Sequence, residues 1–256
     1  MSTAPKDLTL QSLRQENERL EQALARASAE LEDFTYSVSH DLKASLRHVN
    51  AYVQIIQEDL GQQASADIVA HLNVISYAAR TMGQQVDGLT ALSRLSRVAL
   101  QVGSVDLAKL VPDVMALLAP SFTERRLEWH VAPDIPPLQA DATLMREVLT
   151  HLLSNAIKFT AARPVATVDI TWQVTGNRLC IVTVTDNGAG FNPQYTPKLF
   201  HAFQRLHGAR EFEGLGMGLA LTRKTIERQG GTVSAQGEVG VGCSVSFTLP
   251  LATTKA

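Results

Sequence analysis

The sequence predicts a two-part fold, in which a helical hairpin with an N-terminal coiled coil precedes an α/β sandwich. Composition is the first sign, because only three of the 16 glycines and one of the ten prolines lie before residue 103. Since both residues interrupt helices, the front should form long helices and the back a domain with many turns. A helical apolar repeat in the front and alternating strand and helix patterns behind it are the other signs. We place the boundary at Val102–Ser104 and expect Gly103 to act as a flexible linker that lets the second part swing.

The front segment carries a heptad repeat, in which apolar residues recur in alternating steps of three and four. Its positions are Leu10, Leu13, Asn17, Leu20, Leu24, Ala27, Leu31, Phe34 and Val38. This spacing is the a/d pattern of a helix that pairs with another helix, and one polar seam residue often fixes a two-stranded register. Residues 1–30 are therefore predicted to form a coiled coil in a dimer. A single amphipathic helix lying on its own domain is the alternative.

The apolar pattern continues to Leu60, is interrupted by the polar residues 61–65 and resumes from Ile68 to Leu92. Two long helices joined by a short polar turn form an antiparallel hairpin, which we predict over residues 31–100. Because a lone hairpin buries only one face, two copies are expected to pair into a four-helix bundle. The coiled coil would extend that bundle.

The back segment, residues 104–252, alternates helical and strand-like patterns, which predicts helices covering one face of a mixed sheet. Asp106 and Asp141 are suitable N-caps for two of the helices. A turn through Gly176 and Asn177 is typical of a β-hairpin. The expected helices are 105–118, 142–159 and 215–229, and the expected strands are 127–131, 165–174, 179–186, 231–236 and 243–250.

Charge and composition exclude several classes of partner. The formal net charge is −2 and no basic block occurs, so we expect neither nucleic acid nor a polybasic membrane contact. We also expect no transmembrane span, because no run of about 18 apolar residues occurs. The N-terminus has no apolar signal core, which predicts a cytoplasmic protein. Cys180 and Cys243 lie in apolar strand-like runs and are predicted to be buried thiols in a reducing compartment.

The first candidate motif is Ser39–Lys43, on the first hairpin helix. His40 falls between the seam residues Val38 and Leu42, so its side chain should be exposed. A neutral imidazole is a nucleophile near pH 7, and Asp41 could hold its other ring nitrogen or take its proton. Adjacent helical residues do not face each other directly, so the spacing leaves an ordinary solvated histidine as the alternative.

Two further motifs follow in the back segment. Asn155 and Lys158 share a face of the long helix, where an amide oxygen could bind Mg²⁺ and an ammonium could reach phosphate. Asp186 ends an apolar strand, and its carboxylate could accept a hydrogen bond from an exocyclic amine such as that of adenine. Gly188 and Gly190 after it would allow a tight turn close to a flat ligand. A helix-end polar pair and an ordinary turn are the alternatives.

The last motif is a glycine series, Gly214, Gly216 and Gly218, at the start of a helix. Backbone N–H groups and a helix N-terminus form a ready anion site. The series differs from the dinucleotide-binding order Gly-x-Gly-x-x-Gly, and it follows a loop where that fingerprint follows a strand. It therefore predicts phosphate binding without predicting a Rossmann fold.

Together, in this order and spacing, the motifs make residues 30–250 resemble the sensor histidine kinases of two-component signalling, and the phytochrome-like group in particular. The resemblance implies that residues 31–100 are a dimerisation and phosphotransfer domain. It implies that residues 104–252 are a Bergerat-type catalytic domain that binds ATP with Mg²⁺. The implied activity is autophosphorylation of His40, followed by phosphoryl transfer to an aspartate of a response regulator.

The resemblance also implies roles for single residues. His40 would be the phosphoacceptor, and Asp41 would be the base beside it. Asn155 would bind Mg²⁺, and Lys158 would contact phosphate. The implied nucleotide-binding residues are Asp186 for adenine with Gly188 and Gly190 beside it, Phe200 and Phe203 before a mobile ATP lid, and Gly214, Gly216 and Gly218 at the end of that lid.

Three positions depart from the family pattern. Ser45 replaces a frequent proline five residues after the histidine, which should leave the helix less kinked. Ala44 replaces a frequent Thr or Asn, so phosphatase activity is in doubt. His151 stands in place of an Asn four residues before Asn155, and since Mg²⁺ prefers oxygen ligands, metal affinity should be altered.

Other functions remain open at this point. One is another ATPase of the same nucleotide-binding superfamily, although the histidine-bearing hairpin at residues 30–95 counts against it. Another is a dimeric scaffold or phosphorelay protein with weak or no kinase activity, for which His151 leaves room. The expected partners are a second copy, a response regulator receiver domain, and a sensor domain or sensor protein that acts through the coiled coil.

Overall fold

The computed structural model describes residues 4–61, 64–122, 125–176, 178–208 and 211–252. The chain forms two compact units, Met1–Arg94 and Leu95–Ala256. The helices are α1 (Ala4–Leu60), α2 (Ala66–Leu95), α3 (Leu107–Leu118), α4 (Ala142–Phe159) and α5 (Gly218–Arg228). The strands are β1 (Val102–Val105), β2 (Leu127–Val131), β3 (Leu138–Asp141), β4 (Ala166–Thr175), β5 (Leu179–Asp186), β6 (Val233–Glu238) and β7 (Gly242–Pro250).

The first unit is an antiparallel pair of long helices. Polar contacts join α1 to α2. The Lys43 ammonium lies 2.6 Å from the Asp87 carboxylate, and the Ser76 hydroxyl donates to the side-chain oxygen of Asn50 at 3.4 Å. Val53, Leu72 and Ala79 are its buried apolar side chains. The predicted polar turn begins at Gly61, and its residues 62–63 lie outside the described part of the chain.

The second unit is an α/β sandwich. Its five-stranded sheet has the order β2-β4-β5-β7-β6, in which β2 runs parallel to β4 and the other neighbours are antiparallel. Helices α3, α4 and α5 cover one face, and their apolar residues meet those of the central strands in one core. The largest fully buried side chains include Leu149, Leu153, Ile170 and Phe247. The predicted fold class, a helical region followed by an α/β domain, is confirmed.

Both predicted helix caps are confirmed. The Asp106 carboxylate accepts from the Ala108 N–H at the start of α3. The Asp141 carboxylate accepts from the N–H groups of Thr143 and Leu144, and so it satisfies donors that the first turn of α4 would otherwise leave unpaired.

Three local expectations were wrong. Gly103 was expected to be a flexible linker, but it lies in β1 opposite Ala140 of β3, where ladder hydrogen bonds fix its backbone. Helix α5 begins at Gly218, so the first residues of the glycine series remain in the loop before it. Cys180 is buried as predicted, whereas Cys243 is only half-buried. Asn177 of the predicted hairpin turn lies outside the described residues.

Among the described helices, none combines the length and the apolar character that crossing a bilayer requires.

Candidate functional site

His40 lies on α1 in the first unit with its side chain 69% exposed. Its Nδ1 is 3.3 Å from Oδ1 of Asp41, so the two side chains are within hydrogen-bond distance although the residues are adjacent along the helix. When Nδ1 carries the proton and donates it to the carboxylate, the lone pair lies on Nε2. The pair can therefore present an accessible nitrogen nucleophile to a reactant in solvent.

The residues around His40 make contacts within α1 and with α2. Ser39 is buried, with 3% of its surface exposed. Lys43 reaches across to Asp87 on α2. Ser45 donates from its hydroxyl to the backbone oxygen of Asp41 at 3.1 Å. Within the motif, Ser39 is thus buried and Lys43 half-buried, whereas His40, Asp41 and Leu42 are exposed.

The second candidate site is in the other unit and is built around Asp186, the last residue of β5. Its side chain is buried, with 9% of its surface exposed, and Oδ1 accepts from the Gly188 N–H at 2.8 Å. Burial raises the pKa of Asp186 to about 6, while backbone donors at Gly188 and Cys243 and the charge of Arg163 favour the ionised form. The carboxylate can therefore accept a ligand donor near neutral pH.

Close backbone approach explains both glycines of the turn after Asp186. A Cβ on Gly188 would lie 2.6 Å from the backbone oxygen of Phe159, at the end of α4. Gly190 has φ +62°, and a Cβ there would lie 1.8 Å from the backbone oxygen of Glu238. The turn is thus wedged between the end of α4 and the β6–β7 hairpin, and neither position has room for a side chain.

Asn155 and Lys158 lie half-buried on α4, before the point where that helix meets the Asp186 turn. The Lys158 ammonium lies 4.5 Å from the centre of the Phe159 ring. Burial and then the nearby Arg205 lower the pKa of Lys158, and Glu213 raises it. A cation in this environment is poorly solvated and would gain from a phosphate anion beside it.

Tertiary contacts bring the glycine series to α4. A Cβ on Gly214 would lie 3.2 Å from Nζ of Lys158, and one on Gly218 would lie 3.4 Å from Nδ1 of His151. No side chain caps the N-terminus of α5, whose N-cap position is Met217. The uncapped N–H groups at this helix start and the Lys158 ammonium near Gly214 are each suited to binding an anion. Burial lowers the pKa of His151, so its ring here is neutral at pH 7.

The two phenylalanines of the lid motif have different environments. Phe200 packs against the core. Phe203 is 39% exposed with φ +63°, and its N–H donates to the Gly216 oxygen at 3.0 Å. This hydrogen bond joins the two ends of the loop from Phe203 to Gly216. Residues 209–210 of that loop lie outside the described part of the chain.

Sequence reasoning missed three residues near this site. His207 lies 2.8 Å from the backbone oxygen of Gly190 through Nε2, and Phe212 packs edge-on against Phe159 with ring centres 5.0 Å apart. Arg163 donates to backbone oxygens in two turns. No motif marks them, because their partners are backbone atoms or side chains that are distant in sequence.

Among the described residues, no group of three or more His, Cys, Asp or Glu side chains is placed to hold a metal ion by itself. The oxygen donor on α4 that the sequence singled out is the Asn155 amide. Such a sparse donor set fits Mg²⁺, which keeps several waters and is commonly held by one or two protein oxygens together with substrate phosphates.

Comparison with known proteins matches residues 140–253 to the family described as histidine kinase-, DNA gyrase B-, and HSP90-like ATPase. The chain is 31% identical over 223 residues to the methanogenesis regulatory histidine kinase FilI of Methanothrix harundinacea, covering 87% of this chain and 25% of FilI. It is 30% identical over 244 residues to cyanobacterial phytochrome A of a Nostoc species, covering 93% and 31%. Thus it spans about a quarter to a third of the length of these relatives.

Solved structures show the same fold. Full-length ShkA in complex with AMPPNP aligns with a TM-score of 0.63 at 24% identity, covering 88% of this chain and 47% of that one. The Acinetobacter baumannii histidine kinase AdeS aligns with a TM-score of 0.58 at 17% identity, covering 83% and 98%.

Proposed function

The chain is a homologue of the histidine kinases with an ATPase domain at residues 140–253, and on this premise we propose that it phosphorylates its own His40 from ATP. The phosphoryl group then passes to an aspartate of a response regulator. The observation that carries the proposal is the exposed His40 ring, whose Nδ1 faces Asp41 while Nε2 remains available. Residues 1–30 form the coiled coil, 31–100 the dimerisation and phosphotransfer domain, and 104–252 the catalytic domain.

Nucleotide binding is assigned to the second unit. Asp186 accepts a hydrogen bond from the adenine amine, and the tight turn through Gly188 and Gly190 lets the base approach the backbone. The phosphates lie near Lys158 and the uncapped start of α5. Mg²⁺ held by Asn155 and the phosphates would neutralise charge on the transferring group. Phe200, Phe203, Gly214, Gly216 and Gly218 belong to the lid that covers the nucleotide.

The chemical step needs little covalent help from the protein, since phosphoryl transfer depends on positioning and charge neutralisation. The Nε2 lone pair of His40 forms a bond to the γ-phosphorus, and the bond from that phosphorus to the bridging oxygen breaks to release ADP. Asp41 accepts the Nδ1 proton, which leaves the phosphorylated ring neutral. Holding Nδ1–H beforehand also keeps the ring in the tautomer that reacts.

A second copy is proposed as the partner of α1. Many apolar side chains along this helix are exposed in the single chain, among them Leu10 at 54%, Leu24 at 70% and Leu31 at 65%. They coincide with the heptad positions, so a parallel partner helix would bury them.

Mixed dimers of H40Q chains with N155D chains would then become labelled with phosphate from ATP only if one subunit phosphorylates the other. The input signal and the cognate regulator would act through this assembly.

The test is phosphorylation of the full chain with γ-labelled ATP. Wild type should acquire a label that is stable to base and labile to acid, as expected for phosphohistidine. H40Q should lose the label while still binding ATP, and H48Q, which removes another exposed histidine of α1, should keep it. D186N should lose nucleotide binding together with the label. Label persisting in H40Q would refute the assigned acceptor, and ATP hydrolysis without any label would favour a plain ATPase.

A further inference from the structure

Arg163, in the turn that follows α4, joins two loops that are distant in sequence. Its Nε donates to the backbone oxygen of Asn187 at 2.5 Å, and its Nη2 donates to that of Gly188 at 3.0 Å. The same Nη2 also donates to the backbone oxygen of Gly240 in the β6–β7 turn. One half-buried guanidinium thus serves three backbone acceptors, none of which belongs to its own turn.

Other contacts also join the two loops, because Asp186 pairs with Cys243 between β5 and β7 and its carboxylate accepts from the Cys243 backbone. The Gly240 N–H donates to the Ala189 oxygen at 2.8 Å. On the opposite side, the Asn187 side chain accepts from the Thr167 N–H at 3.0 Å and so ties the turn to β4. Arg163 adds three donated hydrogen bonds to these contacts, because its planar guanidinium carries several N–H donors that point in different directions.

The same guanidinium lies in the field of Asp186. Burial raises the pKa of Asp186 to about 6, and Arg163 is the charged group that opposes this rise. The other titratable group facing Asp186 is the Cys243 thiol, which is protonated because burial, with the Asp186 charge, raises its pKa to about 12. The remaining favourable contacts of the carboxylate are the backbone donors of Gly188 and Cys243. Removing the arginine therefore leaves no cation facing Asp186 among these groups.

We propose that Arg163 is a positioning residue of the nucleotide site, which fixes the Asp186–Gly190 turn against the β6–β7 turn and supplies the positive charge facing Asp186. It acts without contacting the nucleotide. The inference rests on the proposed function, because it assumes that Asp186 accepts a hydrogen bond from the bound base. Its consequence is that loss of the guanidinium changes both the affinity for ATP and the pH at which that affinity falls.

The experiment measures equilibrium binding of MgATP to the full chain by calorimetry, between about pH 5 and about pH 8.5. Arg163→Gln removes both the positive charge and the planar set of guanidinium N–H donors. Arg163→Lys keeps the charge and loses that set of donors. Arg126→Gln is the matched control, because the Arg126 side chain is 72% exposed and pairs with Glu128. Thermal unfolding of each variant shows whether the second unit still folds.

Arg163→Gln should weaken binding by roughly tenfold or more at neutral pH, since several charge-assisted hydrogen bonds hold the turn. Its acidic loss of affinity should move to higher pH, because the ionised carboxylate loses its cation. Arg163→Lys should weaken binding without moving the pH profile, and Arg126→Gln should match wild type. A purely structural role would lower the melting temperature and leave the pH profile in place.

Wild-type affinity and an unshifted pH profile in Arg163→Gln would overturn the inference alone. If that variant does not fold, wild-type affinity in Arg163→Lys would overturn it. Failure of the wild-type protein to bind ATP at any pH would instead overturn the proposed function, and this inference with it.

Discussion

Replacing Asp186 by Asn should change how the stability of the second unit depends on pH. Asp186 is 9% exposed, and burial raises the pKa of its carboxyl from 3.8 to about 6. The folded state therefore holds this proton more tightly than the unfolded state. Linkage then requires stability to fall as pH rises from the unfolded to the folded pKa, with the penalty complete above about pH 6.

A rise of about two units in the pKa of Asp186 lowers the free energy of unfolding by about 3 kcal/mol in total. Part of that penalty is already present at pH 4, so about 2 kcal/mol remains to be lost between about pH 4 and pH 7. D186N lacks this titration. It retains a side-chain oxygen that can accept from the Gly188 N–H at the position of Oδ1. Any constant offset from the altered contact with the Cys243 N–H cancels when only the pH dependence is compared.

The assay is urea unfolding of wild type and D186N at several pH values, followed by a signal from the second unit such as the fluorescence of Trp129 and Trp172. The stability of wild type minus that of D186N should fall by about 2 kcal/mol from about pH 4 to pH 7. D186N should also lose ATP binding. A flat difference across this range would refute the burial of the Asp186 carboxyl and its raised pKa.

Three further outcomes are expected. D41N should slow labelling of His40 by about 10²-fold or more while leaving ATP affinity unchanged, because it removes the acceptor of the Nδ1 proton; initial-rate labelling would show this, and an unchanged rate would exclude Asp41 as the base. G216A should lower the free energy of unfolding by about 1–2 kcal/mol and weaken ATP binding, since Gly216 has φ +72° and a Cβ there would lie 2.4 Å from the Gln204 oxygen. G83A, at a position in α2 with open space around it, should instead raise the free energy of unfolding by about 0.5–1 kcal/mol. Thermal unfolding would compare the two variants. L31E should weaken self-association in sedimentation experiments, and an unchanged dimer would place the interface elsewhere.

Local patterns in the sequence predicted the elements well where one physical signal dominated. The strand Leu179–Asp186 matched its prediction at both ends, because alternating burial and the following turn residues both limit it. Asp141 was recognisable as a cap from its position before an apolar repeat. By contrast, β1 and β3 were missed, since each is four residues long and is stabilised by pairing with the other across nearly 40 residues. For the same reason Gly103 was mistaken for a linker.

The candidate site shows the same division. Motif spacing singled out His40, Asn155, Lys158, Asp186 and the glycines as chemically competent residues. It could not show that His40 and Asp41 meet at 3.3 Å, because the side-chain torsions that join adjacent helical residues leave no trace in the spacing.

The sequence by itself determined the order of the two units, the helix caps and the residue types able to carry phosphoryl-transfer chemistry, because each is encoded in short-range periodicity or side-chain chemistry. Only the tertiary structure decided the pKa of Asp186, the approach of Gly214 to Lys158 and the three carbonyls bound by Arg163. These depend on burial and on backbone groups brought together by folding. Backbone carbonyls are the same at every residue, so a sequence carries no mark of which ones a side chain will meet.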